Sequence, residues 1–230
     1  MTCILAIDTT VGACSAALIT DRKLIENKFE VRARGHVERL LPMIDEICES
    51  SNVDISKVDQ IAVTIGPGTF AGVRIGLSAA KGLGLALDIP LVPITTLEVL
   101  AFQFAKTENN FSGNIAVAID ARRGEIYFQL FSVNCGYHEA KSEAEAIDLA
   151  IVKEKIPAEI DFIIGSGGEL LTDLKIEIKQ GYNYPDAAFI AELAEQLSNR
   201  ATQSDEISPL YLRAPDAIKP APLDMIVTDD

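Results

Sequence analysis

The sequence predicts an α/β protein that contains a duplicated structural unit. An apolar run at residues 4–7 leads to Asp8, and Gly12 follows four residues later, before a second apolar run. Residues 116–119 are also apolar, lead to Asp120 and precede the same arrangement of glycine and returning apolar run. In both segments the expected structure is a buried strand, a turn that contains glycine and a second strand.

A second pair of matching segments follows in the same order. The apolar run 60–65 leads into a loop with Gly66 and Gly68, and the later half of the chain repeats this pattern with Gly165 and Gly167. One such match would be weak, because Asp and Gly are common in turns of every kind. Two matches in the same order indicate a duplicated α/β unit.

The spacing of apolar residues predicts five helices between and after these strands. Apolar side chains recur every three or four residues, which places them on one side of a helix. The segments are 36–49, 69–87, 96–106, 139–159 and 186–199. The segment 139–159 mixes Glu, Lys and Ala with modest periodicity, so we expect one exposed helix there.

Residue types at the ends of these segments support the helix starts. Thr95 or Thr96 is a suitable N-cap for the third helix, and Pro185 with Asp186 opens the last one. Pro42 lies inside the first segment, where proline either kinks a helix or marks a later start.

Composition and charge describe a globular protein with ample core and a negative surface. Of the 230 residues, 48% are hydrophobic and 23% are charged, and the formal net charge is −14. Such a surface repels nucleic-acid phosphates, so a partner would have to supply most contacts to any nucleic acid. The four cysteines are dispersed without a CxxC pair, which is typical of reduced thiols in the cytoplasm. We expect neither a signal peptide nor a membrane span.

The loop after residue 65 and the turn after the first strand form the first candidate site. A glycine loop before a helix presents free N–H groups that attract phosphate. The loop has neither the lysine of a Walker A motif nor the GxGxxG spacing of dinucleotide-binding proteins. An Asp followed by two Thr could hold Mg²⁺ bound to phosphate. The candidate cofactor-binding residues are Asp8, Thr9, Thr10, Gly66, Gly68 and Thr69.

Four small residues, Gly72, Gly76, Ala80 and Gly84, recur every four positions along the second helix. They form a ridge with almost no side chain, so another backbone can approach this face closely. Each interior glycine costs about 1 kcal/mol relative to alanine, and packing must offset that cost. Two explanations remain open at this stage: packing against the protein's own sheet, or against a helix of another chain.

Few side chains are of the types that usually act as catalytic bases, nucleophiles or metal ligands. The two histidines are His36 and His138, and no His/Cys cluster or nucleophile elbow occurs. His36 precedes an amphipathic helix, and a capping or surface role explains it more simply than catalysis. Arg74 could bind a phosphate or a carboxylate, and it could equally pair with a structural Asp.

Six motifs in this order resemble the TsaB family, also called YeaZ. They are IDTT, GHVERLLPMID, GPGTFAGVRIGLSAAKGL, PLVPITTLEVLA, IDARRGEIY and PLYLR. The resemblance covers nearly the whole chain and loosens around residues 134–185 and in the tail. The usual family form of the glycine motif has Ser-Phe-Thr-Gly, so Thr69 and Ala71 are mild departures.

The resemblance implies a two-lobed fold of the actin, Hsp70 and sugar-kinase (ASKHA) type, with mixed sheets flanked by helices. Residues 1–108 would form the N-terminal lobe and residues 109–185 the C-terminal lobe. Residues 186–213 would return to the first lobe as a helix and a strand. Residues 214–230 are rich in proline and acidic residues; a flexible tail is the simple interpretation, and a partner-binding arm is the alternative.

The resemblance also implies a role without catalysis. TsaB proteins are paralogues of TsaD, which transfers threonylcarbamoyl to N6 of adenosine 37 in tRNAs that read ANN codons. TsaD uses a His-x-x-x-His metal site, whereas the matching positions here are Thr96 and Leu100. Imidazoles bind transition metals; leucine cannot, and a lone hydroxyl is a poor substitute. We therefore expect no catalytic residue and no metal site in this chain.

The partners implied by the family are TsaD, as a heterodimer, and the small ATPase TsaE, with a homodimer when the chain is alone. Helices of the N-terminal lobe would form the contact. We expect no tightly bound cofactor, although ATP or ADP could lie at a subunit boundary, and contact with tRNA only through the complex. The expected interface residues are His36, Leu40, Leu41, Ile44, Gly72, Arg74, Gly76, Ala80 and Gly84.

Two other function classes compete with a scaffold subunit. One is an enzyme of the same superfamily, either an ATP-dependent phosphotransferase or a metallopeptidase-like hydrolase. The other is a direct tRNA binder, for which Arg32, Arg34 and Arg39 form a local basic patch despite the net charge. A solvated helix entry is the simpler explanation of that patch.

Overall fold

The computed structural model describes residues 2–213 and contains two mixed β-sheets flanked by helices. The first sheet has the order β3-β2-β1-β4-β5. Strand β2 is antiparallel to both of its neighbours, β1 and β3, whereas β4 and β5 run parallel to β1. Its strands are β1 (Cys3–Asp8), β2 (Ala13–Thr20), β3 (Lys23–Val31), β4 (Gln60–Thr64) and β5 (Leu91–Ile94).

The second sheet has the order β11-β10-β6-β7-β8, and β9 also pairs with β7. The long hairpin β6–β7 is antiparallel, and β10 runs parallel to β6. Its strands are β6 (Ser112–Arg122), β7 (Glu125–Asn134), β8 (Tyr137–Ala140), β9 (Glu145–Asp148), β10 (Phe162–Ile164) and β11 (Glu177–Ile178).

The predicted duplication is confirmed by the topology. Each sheet has a strand that ends in or near an aspartate, a returning antiparallel strand, and a parallel strand on the other side that leads into a glycine loop. The copies differ after that loop, because the first continues into the long helix α2 and the second into a short 3-10 segment, Gly168–Leu174.

The helices are α1 (His36–Ser51), α2 (Phe70–Leu87), α3 (Thr96–Thr107), the short α4 (Val152–Lys155) and α5 (Ala187–Gln196). Side chains of α1 and α2 bury one face of the first sheet, and side chains of α3 and α5 bury the other. Helix α3 also contributes Leu100 and Phe104 to the core of the second sheet, so it lies between the two sheets. Helix α3 therefore packs against both sheets and contributes to the cores of both halves.

The predicted caps at Thr95 and Asp186 form hydrogen bonds, and the structure adds a third cap at Thr69. Thr69 Oγ1 accepts from Gly72 N–H, Thr95 Oγ1 accepts from Glu98 N–H, and the Asp186 side chain accepts from Ala188 N–H. Each cap satisfies one of the N–H groups that have no partner within the helix.

Two expectations about helices and strands were wrong, and one of the two alternatives for Pro42 is excluded. Helix α1 runs from His36 through Pro42, so proline does not mark a later start. Residues 139–159 form β8, β9 and α4 instead of one helix, because pairing with β7 and burial of Ile147 override a local preference for helix. Residues 209–213 do not form a strand; between residues 186 and 213, regular pairing is limited to one bridge between Leu91 and Thr202.

Helix α2 has the length and composition of a membrane span, with 18 residues and a mean hydropathy of 1.3. Core helices of globular proteins pass the same test. One side of α2 packs on the first sheet, and Arg74 and Lys81 lie within it, so its place in the fold explains its apolar character. The predicted tail at residues 214–230 lies outside the described residues.

Candidate functional site

A buried polar cluster lies where three parallel strands of the first sheet end. Asp8 closes β1, Thr64 closes β4, and Thr96 begins the helix after β5. Because β1, β4 and β5 are neighbours with the same direction, their carboxyl ends bring these side chains together. All three are fully or almost fully buried.

The Asp8 carboxylate is held by hydroxyl groups through one of its two oxygens. Thr10 Oγ1 donates to Oδ1 at 2.6 Å, and Thr64 Oγ1 donates to the same oxygen at 2.5 Å. Thr96 Oγ1 extends the network to Thr10 Oγ1 at 3.3 Å. Asp8 Oδ2 is buried and has no hydrogen-bond partner among residues 2–213. Thr64 was not recognised from sequence, although a hydroxyl residue inside an apolar run was the signal.

Burial raises the pKa of Asp8 from 3.8 to about 6, and the hydrogen bonds from Thr10 and Thr64 oppose that rise. Burial dominates because a carboxylate loses its hydration while only one of its oxygens gains strong donors. Burial of Asp8 therefore lowers the stability of the folded protein at pH values at which the carboxyl group would be ionised.

The turn after β1 and the glycine loop before α2 pack directly on each other. Thr10 carbonyl oxygen accepts from Thr69 N–H at 2.8 Å and from Thr69 Oγ1 at 3.2 Å. Thr9 Oγ1 donates to Gly72 carbonyl oxygen at 2.6 Å. A Cβ added at Gly68 would lie 2.3 Å from Thr10 carbonyl oxygen, a distance at which atoms overlap. The turn therefore fills the space in front of the loop.

The structure thus brings together all six residues predicted to bind a cofactor, but it uses their polar groups within the chain. Gly66 lies at φ +104°, and its carbonyl oxygen accepts from Thr96 N–H at 2.8 Å. Thr9 and Thr10 are buried. Among the six, Thr69 is exposed and Gly68 is partly exposed. This arrangement leaves little room for a phosphate between the two loops.

The second half of the chain has a related contact with different chemistry. Asp120 N–H donates to Ser166 Oγ at 3.2 Å, and Gly167 N–H donates to Ala118 carbonyl oxygen at 2.9 Å. In place of two threonines, the turn carries Arg122, which pairs with Asp120 at 2.9 Å. The Asp120 carboxylate therefore has an intramolecular cationic partner.

Thr96 and Leu100, which stand where the resemblance implies metal ligands in TsaD, lie inside the protein. Thr96 is part of the buried polar cluster, and Leu100 is fully buried in the core shared by α3 and the second sheet. Within residues 2–213, no group of three or more His, Cys, Asp or Glu side chains is arranged to hold a metal ion.

The small-residue ridge of α2 faces its own sheet, which corrects its assignment to an interface between chains. A Cβ at Gly72 would lie 2.1 Å from Thr9 carbonyl oxygen, and one at Gly76 would lie 2.8 Å from Thr9 Oγ1. A Cβ at Gly84 would lie 2.3 Å from the Leu91 side chain, and Ala80 is buried in the same core. The glycines are needed because the helix backbone approaches the turn after β1.

Three other expected interface residues also face inward. Leu40 and Ile44 belong to the core between α1 and the first sheet, so their assignment to an interface was wrong for the same reason. His36 is half-buried, and burial lowers its pKa, against an opposing effect of the Ala13 and Val11 backbone. Leu41 is different, because 51% of it is exposed.

Arg74 lies on the exposed side of α2 and packs against aromatic rings. Its guanidinium carbon is 3.6 Å from the centre of the Phe70 ring, and Nε donates to Tyr211 Oη at 2.8 Å. The rings of Phe70 and Tyr211 are themselves stacked, with centroids 5.8 Å apart. No carboxylate of residues 2–213 forms an ion pair with Arg74, so its partners among these residues are the two aromatic side chains.

The outer sides of α1 and α2 form one surface, which we call the helix surface and define by Val37, Leu41, Ser78 and Gly82. Val37 is 63% exposed, and Ser78 and Gly82 lie on the side of α2 opposite the buried ridge. A Cβ at Gly82 would meet no atom within 4 Å. Unlike the ridge glycines, Gly82 therefore has no close neighbour among residues 2–213 that requires glycine at this position.

The predicted basic patch is largely neutralised. Arg39 pairs with Glu30 and Glu46, each at 2.7 Å, and Arg32 pairs with Glu30 at 2.9 Å. Arg34 is exposed. These ion pairs leave little positive charge for a nucleic acid.

One cavity borders the start of the helix that carries Thr96, because its lining includes Thr95. It has a volume of about 690 Å³ and lies between α3, α5 and β8, with His138 and the Glu98–Arg200 pair in its wall. His138 contacts Phe102 and Phe131, and burial lowers the His138 pKa.

Comparisons with known proteins match most of this chain. The family described as "TsaD: tRNA N6-adenosine threonylcarbamoyltransferase" matches residues 29–226. The tRNA threonylcarbamoyladenosine biosynthesis protein TsaB of Haemophilus influenzae is 33% identical over 222 residues, covering 91% of this chain and 93% of that protein. TsaB of Escherichia coli is 33% identical over 223 residues, with 91% and 94% covered. The structure of YeaZ from Pseudomonas aeruginosa is 28% identical with a TM-score of 0.81, covering 92% and 100%.

We predict that Asp8→Asn removes a pH dependence from the stability of the folded protein. In the unfolded chain Asp8 ionises near 3.8, and in the folded chain near 6, so below pH 3.8 both states bind the proton and above pH 6 neither does. Stability therefore falls by about 3 kcal/mol as the pH rises between these values. The variant keeps an acceptor at Oδ1 and loses this pH dependence.

Urea unfolding of both proteins between pH 3.5 and 8 measures the effect. The stability of the variant relative to the wild type should grow between pH 4 and 6 and then stay constant. Asp120→Asn, at a carboxylate that is 21% exposed and paired with Arg122, is the control and should show no such gain. A difference for Asp8→Asn that is the same at every pH would contradict the account.

We also predict opposite effects for alanine at two glycines of α2. Gly72→Ala should destabilise the protein by about 1–3 kcal/mol, because the new Cβ overlaps a backbone oxygen. Gly82→Ala should stabilise it by about 0.5–1 kcal/mol, because alanine favours helix and the space is open. Urea unfolding at low protein concentration measures both. Equal losses at the two positions would show that Gly82 also has an internal packing role.

Proposed function

This chain belongs to the TsaB family of tRNA threonylcarbamoyladenosine biosynthesis proteins, and we propose that it is a non-catalytic subunit of that pathway. In this role it binds the catalytic subunit TsaD and, together with the ATPase TsaE, organises the complex that modifies adenosine 37. The family relationship supports the pathway, and the geometry of the chain supports the absence of its own chemistry.

The observation that carries the proposal is the contact between the turn after β1 and the glycine loop. An ASKHA enzyme would need these two loops to hold the phosphates of a nucleotide. Here Thr10 carbonyl oxygen accepts from Thr69, and Gly68 lies against the same oxygen. A nucleotide would have to displace these contacts, so we propose that the chain alone binds ATP or ADP weakly at most.

Two further features support a role without catalysis. Thr96 and Leu100 are buried and lack imidazole groups, so the metal chemistry attributed to TsaD has no counterpart at these positions. The hydroxyl groups of Thr10 and Thr64 lie beside the Asp8 carboxylate, but all three side chains are buried, so a substrate cannot reach them as it reaches the nucleophile and base of a hydrolase. A nucleotide at a boundary with TsaD would then be held mainly by the partner.

We propose that TsaD binds the helix surface. Val37 and Leu41 expose apolar side chains there, and the absence of a side chain at Gly82 allows a partner helix to approach closely. The same surface would form the homodimer when the chain is alone. Contact with tRNA would arise only in the complex, because the net charge is −14 and the basic patch is paired. We assign the complex to the cytoplasm.

Reconstitution tests the proposed role. Purified chain, TsaD, TsaE, tRNA, ATP and the threonylcarbamoyl-adenylate are mixed with one component omitted at a time, and modified adenosine is measured. Omission of this chain should abolish or strongly reduce modification, and the chain without TsaD should produce none. Full modification without this chain would overturn the scaffold role, and modification without TsaD would show that the chain is an enzyme.

Substitution of Leu41 tests the surface. Leu41→Glu should weaken binding to TsaD at least about tenfold, because a charge would be buried in an apolar contact. Its effect on stability should be small, since half of the residue is exposed. Titration of TsaD, followed by light scattering or calorimetry, measures the affinity.

Leu170→Glu is the matched control for this titration. Leu170 is 44% exposed and lies in the other half of the protein, so the same substitution there should leave the affinity for TsaD unchanged. Equal losses for both variants, or none for either, would contradict the assignment of the helix surface.

A further inference from the structure

The exposed start of α2 carries two aromatic rings and one guanidinium in mutual contact. Phe70 is 61% exposed and Tyr211 is 45% exposed, and their rings are stacked on each other. Arg74 joins both, because its guanidinium carbon lies 3.6 Å from the centre of the Phe70 ring and its Nε donates to Tyr211 Oη. We call these three side chains the arginine cluster. Aromatic and arginine side chains are enriched in protein–protein contacts and often dominate their binding energy.

The two terminal nitrogens of Arg74 are left for a ligand. A guanidinium has five N–H donors in one plane, and the hydrogen bond to Tyr211 uses the one on Nε. No acceptor in the described part of the chain bonds to Nη1 or Nη2 of Arg74. These two nitrogens form the planar fork with which arginine binds both oxygens of a carboxylate or two oxygens of a phosphate.

The orientation of this fork is fixed before any ligand binds. Stacking on Phe70 and the hydrogen bond to Tyr211 hold the guanidinium at two places. A side chain that is already held in its binding conformation loses less entropy when it binds than a freely rotating one. The arginine cluster is therefore a preorganised anion receptor.

Tyr211 reaches α2 from a segment that crosses between the two halves of the molecule. Leu210 N–H donates to Ile65 carbonyl oxygen at 2.8 Å, directly after β4. Successive side chains of this segment lie on alternate sides, because Leu210 and Leu212 line the cavity between α3, α5 and β8, whereas Tyr211 packs on α2. The backbone is thus fastened to the first half just before Tyr211.

Arg213 fastens the same segment to the second half. Its guanidinium pairs with Glu125 of β7, and Nη1 donates to Ala121 carbonyl oxygen at 3.5 Å. Tyr211 lies between this anchor and the one at Leu210. Arg213 is therefore a positioning residue for the Tyr211 ring, and through that ring for the guanidinium of Arg74.

The charge of the arginine cluster fits a carboxylate better than a phosphate. Arg74 supplies one positive charge in a chain whose net charge is −14. The next cation along α2 is Lys81, seven residues further on and about 10 Å away along the helix axis. A phosphate monoester carries close to two negative charges at neutral pH, whereas a carboxylate carries one. The rings of Phe70 and Tyr211 also offer apolar contact to the methylene groups of an Asp or Glu side chain.

The arginine cluster lies on the same side of α2 as the helix surface. Arg74 precedes Ser78 by four residues and Gly82 by eight, a spacing that places the three positions in one row along the helix. All three are exposed. A partner that binds the helix surface therefore extends to the cluster along a continuous face.

We propose that Phe70, Arg74 and Tyr211 form a receptor for an Asp or Glu side chain of TsaD. Nη1 and Nη2 of Arg74 donate to the two carboxylate oxygens, and the two rings cover the methylene groups next to the carboxylate. This receptor rests on the proposed binding of TsaD to the helix surface, and it adds one charge-assisted contact at the start of α2.

Titration of TsaD without nucleotide tests the receptor. Arg74→Gln keeps an apolar stem and removes the guanidinium, so it should raise the dissociation constant at least about tenfold. Arg74→Lys keeps the charge and loses the planar fork, so it should raise the constant at least about fivefold. Arg22→Gln removes the same charge from the exposed turn between β2 and β3 and is the control, with no expected change. Urea unfolding verifies that each variant folds.

The outcomes separate the receptor from the proposed function. Unchanged affinity of both Arg74 variants overturns the receptor while the binding of TsaD stands, whereas a wild-type chain that does not bind TsaD overturns both. An equal loss for Arg22→Gln would show that only long-range charge matters, and it overturns the receptor. A loss for Arg74→Gln that appears only after ADP is added would assign the fork to a phosphate of that nucleotide, which overturns the carboxylate.

Cross-linking identifies the carboxylate. A carbodiimide activates Asp and Glu side chains, and the amine supplied by Arg74→Lys attacks the activated carboxyl carbon, which forms an amide bond and releases the reagent as a urea. With both proteins above their dissociation constant, mass spectrometry should find the peptide with position 74 joined to an Asp or Glu of TsaD, and the wild type should give no such product. Cross-links to TsaD from other lysines and none from position 74 would overturn the receptor.

A double-mutant cycle tests the positioning role of Arg213. Arg213→Ala should weaken TsaD binding about threefold to tenfold in the wild-type background and have little effect in the Arg74→Gln background, because the Tyr211 ring then has no guanidinium to hold. Arg213→Lys, which keeps a cation beside Glu125, should restore most of the affinity. Equal losses in the two backgrounds would show a general structural role and contradict the positioning role.

Discussion

The close approach of α2 to the turn after β1 is the contact on which the first half of the molecule depends. The helix backbone lies so near this turn that side chains at Gly72 and Gly76 would overlap Thr9, and Gly68 lies equally close to Thr10. Thr9 Oγ1 and Thr10 carbonyl oxygen use that proximity for hydrogen bonds to Gly72 and Thr69. The cost of glycine within a helix is offset there by packing and by buried polar contacts.

This contact explains why the polar cluster and the surface of the same helix have different roles. On the inner side, the turn and the glycine loop form hydrogen bonds with each other. Asp8 accepts a hydrogen bond from Thr10 there, and its burial raises its pKa and so disfavours the ionised form. On the outer side, α2 has an open position at Gly82, and the neighbouring helix α1 exposes Leu41. We propose that this contact fixes the helix and that the free side of the helix is available to a partner.

The sequence was sufficient for the duplication, for four of the five predicted helices and for the group of residues that meets at Asp8. The helices were predicted from strong periodicity of apolar residues, and the duplication and the residues near Asp8 from repeated positions of Asp and Gly. Residues 139–159 were wrongly assigned because their strands depend on pairing with β7, a long-range contact that local composition does not contain. The side of the protein that the glycine ridge faces could be determined only from the structure, because small residues allow close packing both against a sheet and against another helix. Thr64 and the Phe70–Tyr211 stack depend on distant segments and could not be paired from sequence.

Hydrogen–deuterium exchange of the full chain tests the central claim most directly, namely that the chain acts through assembly and does not bind nucleotide in its own loops. Exchange is compared for the chain alone, with Mg²⁺ and ATP, and with TsaD. The account predicts that TsaD protects residues 36–41 and the outer positions of α2, and that ATP alone leaves residues 8–10 and 66–69 unchanged. Protection of those two loops by ATP alone, with no change in α1 when TsaD is added, would contradict it.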